Sequence, residues 1–121
     1  MSGPRLYRDY LYDMLDAAEK AESFLGDLAF DDFAGNAEKV FAIIRALEII
    51  GEAASKVTVE TRELLPHLPW HEIIGMRNRI IHAYDRVNYD VVWDTANLSV
   101  PLLIKLLEDF LPPETDASEP E

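Results

Sequence analysis

Within eight residues, Arg77, Asn78, His82 and Tyr84 bring together a fixed cation, an amide, an imidazole and a phenol. Such a set suits phosphate chemistry. Arginine offers a planar fork of donors that does not deprotonate. Histidine changes charge near neutral pH, so it can take or give a proton. Three of the chain's 11 basic residues, Arg77, Arg79 and Arg86, also fall here, against one acid, Asp85. The segment is a local positive island in an acidic protein, and so the natural landing place for an anion.

The same residues have plainer readings. Arg77 could pair with Glu48, Glu52 or Glu72, His82 could be a structural histidine, and Tyr84 an ordinary core phenol. On an ideal helix Arg77 and Tyr84 nearly eclipse, whereas His82 lies about 140° from Arg77. A continuous helix therefore does not converge the arginine and the histidine. Either the helix ends near His82, or a second copy of the motif completes the site across a two-fold axis.

Other chemistries find little support. The chain has no Cys, which excludes disulfides and thiolate metal sites and suits a cytoplasmic location. His67 and His71 are separated by Pro69, and no spacing resembles a closed zinc site, so neither a metal nor a cofactor is expected. Its serines lack an elbow or a neighbouring base, and its glycines form no phosphate loop. Gly51 and Gly75 stand alone and are expected to permit close helix packing. Trp70, Tyr89 and Trp93 flank the motif and could stack a base, but aromatics at helical spacing are read here as core.

The net charge of −12 argues against broad, sequence-independent binding to a nucleic-acid backbone. Without the four acids after Leu111 the remainder stands at −8, so the folded part is acidic as well. Any nucleic-acid contact must be local. No apolar run is long enough to span a membrane, and the early residues do not resemble a signal peptide.

The elements that must position the motif read as helical. From Tyr7, apolar residues recur at three- and four-residue steps through Leu11, Met14, Ala18, Ala21 and Leu25. A turn at Phe30–Phe33 follows, with Asp31 or Asp32 as the expected N-cap. Val40 to Ala53 is apolar around most of its circumference and should form the central helix. Residues 58–68 read as a helical turn and a loop, and Pro69 is placed to start a third helix, Trp70–Ala83, carrying the motif. Asn88 should cap a fourth helix reaching Phe110, kinked at Pro101. The expectation is an all-α, up-and-down bundle of four to five helices, one domain over residues 1–111, with an acidic, disordered tail over 112–121.

The stretch Leu68–Tyr84, with Val87–Trp93 after it, resembles the HepT-like branch of the HEPN superfamily. Arg45-Ala-Leu-Glu48 and Ile50-Gly-Glu-Ala-Ala54 are similar to the same family, and the likeness runs from Tyr7 to Leu111. Its Arg-x4-His-x-Tyr signature is present as Arg77, His82 and Tyr84. The resemblance implies a HEPN-like homodimer whose two motifs face each other across a cleft. It implies the toxin of a prokaryotic type II or type VII-like toxin–antitoxin pair that cleaves RNA, tRNA or mRNA, without metal. The implied roles are Arg77 and His82 as catalytic residues, Asn78 in support, and Arg79 and Arg86 in substrate binding. Tyr84 is the implied acceptor of AMP from a minimal nucleotidyltransferase antitoxin. The alternatives are a non-catalytic nucleotide-binding module for that nucleotidyltransferase, and, more remotely, a helical adaptor.

Overall fold

A computed structural model describes residues 7–82 and 86–113, with the backbone alone at Ile81, His82 and Arg86. The chain is all-α, as its periodicity requires. The first helix, α1, spans Tyr7–Leu25 and turns Leu11, Met14, Ala17, Ala18, Ala21 and Leu25 inward. It stops at Gly26, whose φ of 53° is a left-handed conformation that glycine adopts without a Cβ penalty. The Gly26 N–H donates to the Glu22 carbonyl at 3.0 Å, closing the helix end.

A short helix α2, Phe30–Ala34, leads to α3, Ala37–Ser55. The cap between them is Asn36, whose side-chain oxygen accepts from the Lys39 N–H at 3.0 Å. This corrects the expectation of an aspartate cap. Asp31 and Asp32 lie inside the first turn of α2, where their charge meets the helix N-terminus, and Ala29 holds the cap position. At 19 residues each, α1 and α3 are about 28 Å long and pack along one another. Ile43, Leu47, Ile50 and Ala54 on α3 are fully buried between α1 and the helices that follow.

The chain then crosses through α4, Val59–Arg62, capped by Thr58, to α5, Trp70–Ile74. Pro69 occupies the N-cap position of α5, one place before the first-turn site anticipated for it. Trp70 is half-buried, donating its indole N–H to the Leu65 carbonyl at 3.1 Å. The expected continuous helix Trp70–Ala83 is not what forms. Gly75 ends α5, a second short helix α6 runs Met76–Ile80, and the backbone then leaves the helix altogether. Ile81–His82 (β1) and Arg86–Val87 (β2) pair antiparallel, with His82 opposite Arg86 and Ile81 opposite Val87. The Asn88 N–H closes this small hairpin onto the Ile80 carbonyl at 2.8 Å.

Asn88 then caps α7, Tyr89–Asp94, its side-chain oxygen accepting from the Val91 N–H at 3.1 Å. A π-helical turn, Thr95–Ser99, joins α7 to α8, Val100–Phe110. Pro101 therefore does not interrupt the interior of one regular helix. It sits in the first turn of α8, where a missing N–H costs least, and the wide turn before it absorbs the mismatch. Trp93 on α7 packs between Phe30 and Phe33, each ring centroid 5.7 Å away, fastening α2 to α7. Tyr89, read as core, is instead exposed. The Tyr12 hydroxyl donates to the Pro112 carbonyl, tying the chain just past α8 back to α1. The remainder of the expected disordered tail, 114–121, lies outside the described residues.

Candidate functional site

The motif arginine owes its position to the two residues that bracket its turn. Met76 and Ile80, four apart on α6, are both buried, and Ile80 has no exposed surface at all. Two buried side chains of this size are worth about 1.5–3 kcal/mol each, enough to fix which way a single helical turn faces. Arg77, Asn78 and Arg79 between them are consequently turned toward solvent. The turn is brought close to α3 by a missing side chain: a Cβ at Gly51 would meet the Ile73 carbonyl oxygen at 3.0 Å. Gly51 thus permits the close packing expected of it, and it seats α5 directly against α3.

Arg77 lines a groove of about 300 Å³ between α3 and the α5–α6 turn, together with Arg45, Glu48, Gly51, Glu52, Ser55 and Ile74. Its Nε lies 3.6 Å from one oxygen of Glu48, so the pairing anticipated among the plain readings does form. Arg77 nevertheless keeps 73% of its side chain exposed, against 25% for Glu48. An ion pair so open to water contributes little to stability and leaves the cation available. Asn78 is exposed beside it, its backbone N–H donating to the Gly75 carbonyl at 3.1 Å.

Arg79 faces elsewhere. It borders a second groove, also about 300 Å³, whose walls include Leu47, Ile50, Leu68, Ile73 and Met76, with Leu102, Leu103 and Leu106 of α8. Arg77 and Arg79 are thus presented to two different surfaces. His82 lies two residues past the end of α6, in the hairpin, with Arg86 as its backbone partner. The helix does end before His82, so the angular separation of a continuous helix does not apply. The side chains of His82 and Arg86, and the whole of Tyr84, lie outside the described residues.

Of the Arg77 groove's charged members, Arg45, Glu48 and Glu52 were not singled out as site residues from the sequence. Glu48 and Glu52 were considered only as partners for Arg77, and Arg45 was given no role. The signal for Arg45 and Glu48 was present in the three-residue spacing that puts both on one face of α3. What the spacing does not contain is the arrival of Arg77 from 29 positions further along the chain. Among the described residues, no three His, Asp or Glu side chains gather as metal ligands would. Nor is any helix there long and apolar enough to cross a membrane.

Residues 14–110 match the family model described as Ribonuclease HepT-like. "Probable ribonuclease HepT" of Thermococcus cleftensis is 41% identical over 99 residues, 82% of this chain and 90% of that one. Two further relatives carry provisional RNase names. One, from Methanocaldococcus jannaschii, is 38% identical over 102 residues, covering 84% of this chain and 88% of its own. The other, from Caldanaerobacter subterraneus subsp. tengcongensis, is 37% identical over 107 residues, covering 88% and 96%. No solved structure matches the chain.

Proposed function

The chain belongs to the ribonuclease HepT-like family, and from that premise we propose that it is a metal-independent endoribonuclease built on Arg77 and His82. The observation that supports this most is the presentation of Arg77. Buried Met76 and Ile80 turn it outward onto an open groove, and the helix stops so that His82 follows in a hairpin.

RNA carries its own nucleophile. An imidazole, His82 of one or both protomers, takes the proton of a ribose 2′-OH. The 2′-oxygen attacks the adjacent phosphorus, the bond from phosphorus to the 5′-oxygen breaks, and the departing oxygen receives a proton from imidazolium. Proton transfer of this kind contributes roughly 10²–10⁴-fold. Arg77 holds the non-bridging oxygens and stabilises the charge that gathers on them. Asn78 supports the same phosphate, and Arg79 and Arg86 steer more distant parts of the strand. A homodimer supplies one histidine as base and the other as acid.

In this reading the chain is the toxin of a prokaryotic toxin–antitoxin pair. Its antitoxin is a minimal nucleotidyltransferase that transfers AMP to the phenol oxygen of Tyr84. An AMP two residues beyond His82 adds bulk and negative charge, which block and repel RNA. With a net charge of −12, the protein binds RNA through few cations, so its affinity falls only gently with salt.

Product chemistry tests the mechanism. RNA fragments from the wild type are expected to end in a 2′,3′-cyclic phosphate on one side and a 5′-hydroxyl on the other. Free 3′-hydroxyl ends would contradict 2′-OH attack. Nucleotide binding without any cleavage would favour the non-catalytic module instead. For the off-switch, intact-mass analysis after co-expression with the antitoxin should find added AMP on the wild type and none on Tyr84→Phe.

A further inference from the structure

Arg77 shares its groove with a second exposed cation. Arg45 and Glu48, three apart on α3, share one side of that helix, and Arg77 reaches the same carboxylate from α6. Each Glu48 oxygen serves a different arginine. Oε1 lies 3.7 Å from Arg45 Nη1, and Oε2 lies 3.6 Å from Arg77 Nε. Glu48 is three-quarters buried on the groove floor, whereas the Arg45 and Arg77 side chains are 65% and 73% exposed.

Two fixed cations against one carboxylate leave this triad at +1 in a chain that carries −12. Pairs this open and this long add little to stability, so packing alone does not account for the arrangement. What the carboxylate can do is orient. It meets Arg77 at Nε, and the two terminal nitrogens of a guanidinium form a fork from which a phosphate accepts in a bidentate manner. Glu52 lines the same groove. Its charge repels an anion, so a phosphate is favoured at the Arg45–Arg77 side.

We propose that Arg45 is a second substrate-holding residue, gripping an RNA phosphate beside the one held by Arg77, and that Glu48 is the positioning residue that aligns both guanidinium groups. This rests on the ribonuclease reading and extends it to a residue outside the motif.

A salt titration of RNA binding tests it. The probe is a fluorescein-labelled single-stranded RNA with every 2′-oxygen methylated, which cannot attack its own phosphates. The proteins are the wild type, Arg45→Ala, Arg45→Lys and Lys105→Ala. Each phosphate contact on a single strand contributes about 0.7 to the slope of log affinity against log salt. Arg45→Ala should therefore flatten the slope by about 0.7 and weaken low-salt binding about tenfold. Arg45→Lys should restore the slope, because the charge remains, while recovering only part of the affinity because the fork is lost. Lys105→Ala removes the same charge from the middle of α8, where Lys105 pairs with Asp109 and lines neither groove, and should match the wild type.

An Arg45→Ala slope equal to the wild type would overturn the assignment. So would equal flattening by Lys105→Ala, since net charge alone would then explain it. A wild type that neither binds this probe nor cleaves unmodified RNA would overturn the ribonuclease reading itself, and this inference with it. In the first two cases that reading survives intact.

Discussion

Helix α3 buries nine of its residues, including Ile43, Leu47 and Ile50, whereas the adjoining α6 buries only Met76 and Ile80 and gives Arg77, Asn78 and Arg79 to solvent. The first is held by many contacts that back one another up. The second is one helical turn held by two anchors and followed at once by a hairpin. Interior positions decide whether the chain folds, and exposed ones decide what it can do, so substitutions in the two should separate stability from activity. Gly51, where α3 touches the Ile73 carbonyl, is the joint between the two regimes.

The largest effect should come from the motif. His82→Ala is expected to lower the cleavage rate at least 100-fold while the urea midpoint stays near that of the wild type. A large loss of stability in that variant would dissolve the distinction. Ile43→Ala, in neither groove, is the mirror experiment. It should cost about 2–5 kcal/mol of unfolding free energy, read by urea denaturation, with the activity per folded molecule unchanged.

Gly51→Ala should fail on both counts. Its methyl forces α5 away from α3, costing about 1–3 kcal/mol and displacing the Arg77 turn, so thermal midpoint and activity should fall together. Asn88→Ala removes the cap of α7 and should cost about 1 kcal/mol. Glu48→Gln should be the gentlest on the fold, within about 0.5 kcal/mol, because both arginines that pair with it are largely exposed and the amide keeps the side chain's shape. A several-fold fall in kcat/KM for that variant would sharpen the contrast, since the positioning would be lost without the packing.

The packed region was the legible one. Three- and four-residue steps from Leu11 to Leu25 marked α1, because burying a helical face needs that period, and apolar residues around most of the circumference from Val40 to Ala53 marked α3 as the central helix. Asn88 announced itself as a cap by standing just before an apolar run. Asn36 did not, because Asp31 and Asp32 offered equally good capping chemistry a few residues earlier. The motif segment was legible in composition but not in shape. A lone Gly75 within an apolar run does not by itself end a helix, and the contact that seats α5 is made with Gly51, 24 positions earlier. The stop at Ile80 had no proline to mark it. Nor could spacing show that Glu48 would join Arg45 to Arg77, since that triad exists only once two helices meet. The candidate motif residues stood out by type, whereas the groove that Arg77 lines is a tertiary object.

The most direct measurement compares wild type, Arg77→Ala and His82→Ala, purified side by side and incubated with total RNA and transfer RNA in excess chelator. Circular dichroism would confirm that all three are folded. Cleavage by the wild type, with both variants at least 100-fold slower, is the result predicted for a metal-independent site built on these two residues. Equal cleavage by all three, or none by wild-type protein whose Tyr84 mass analysis shows to be unmodified, would contradict it.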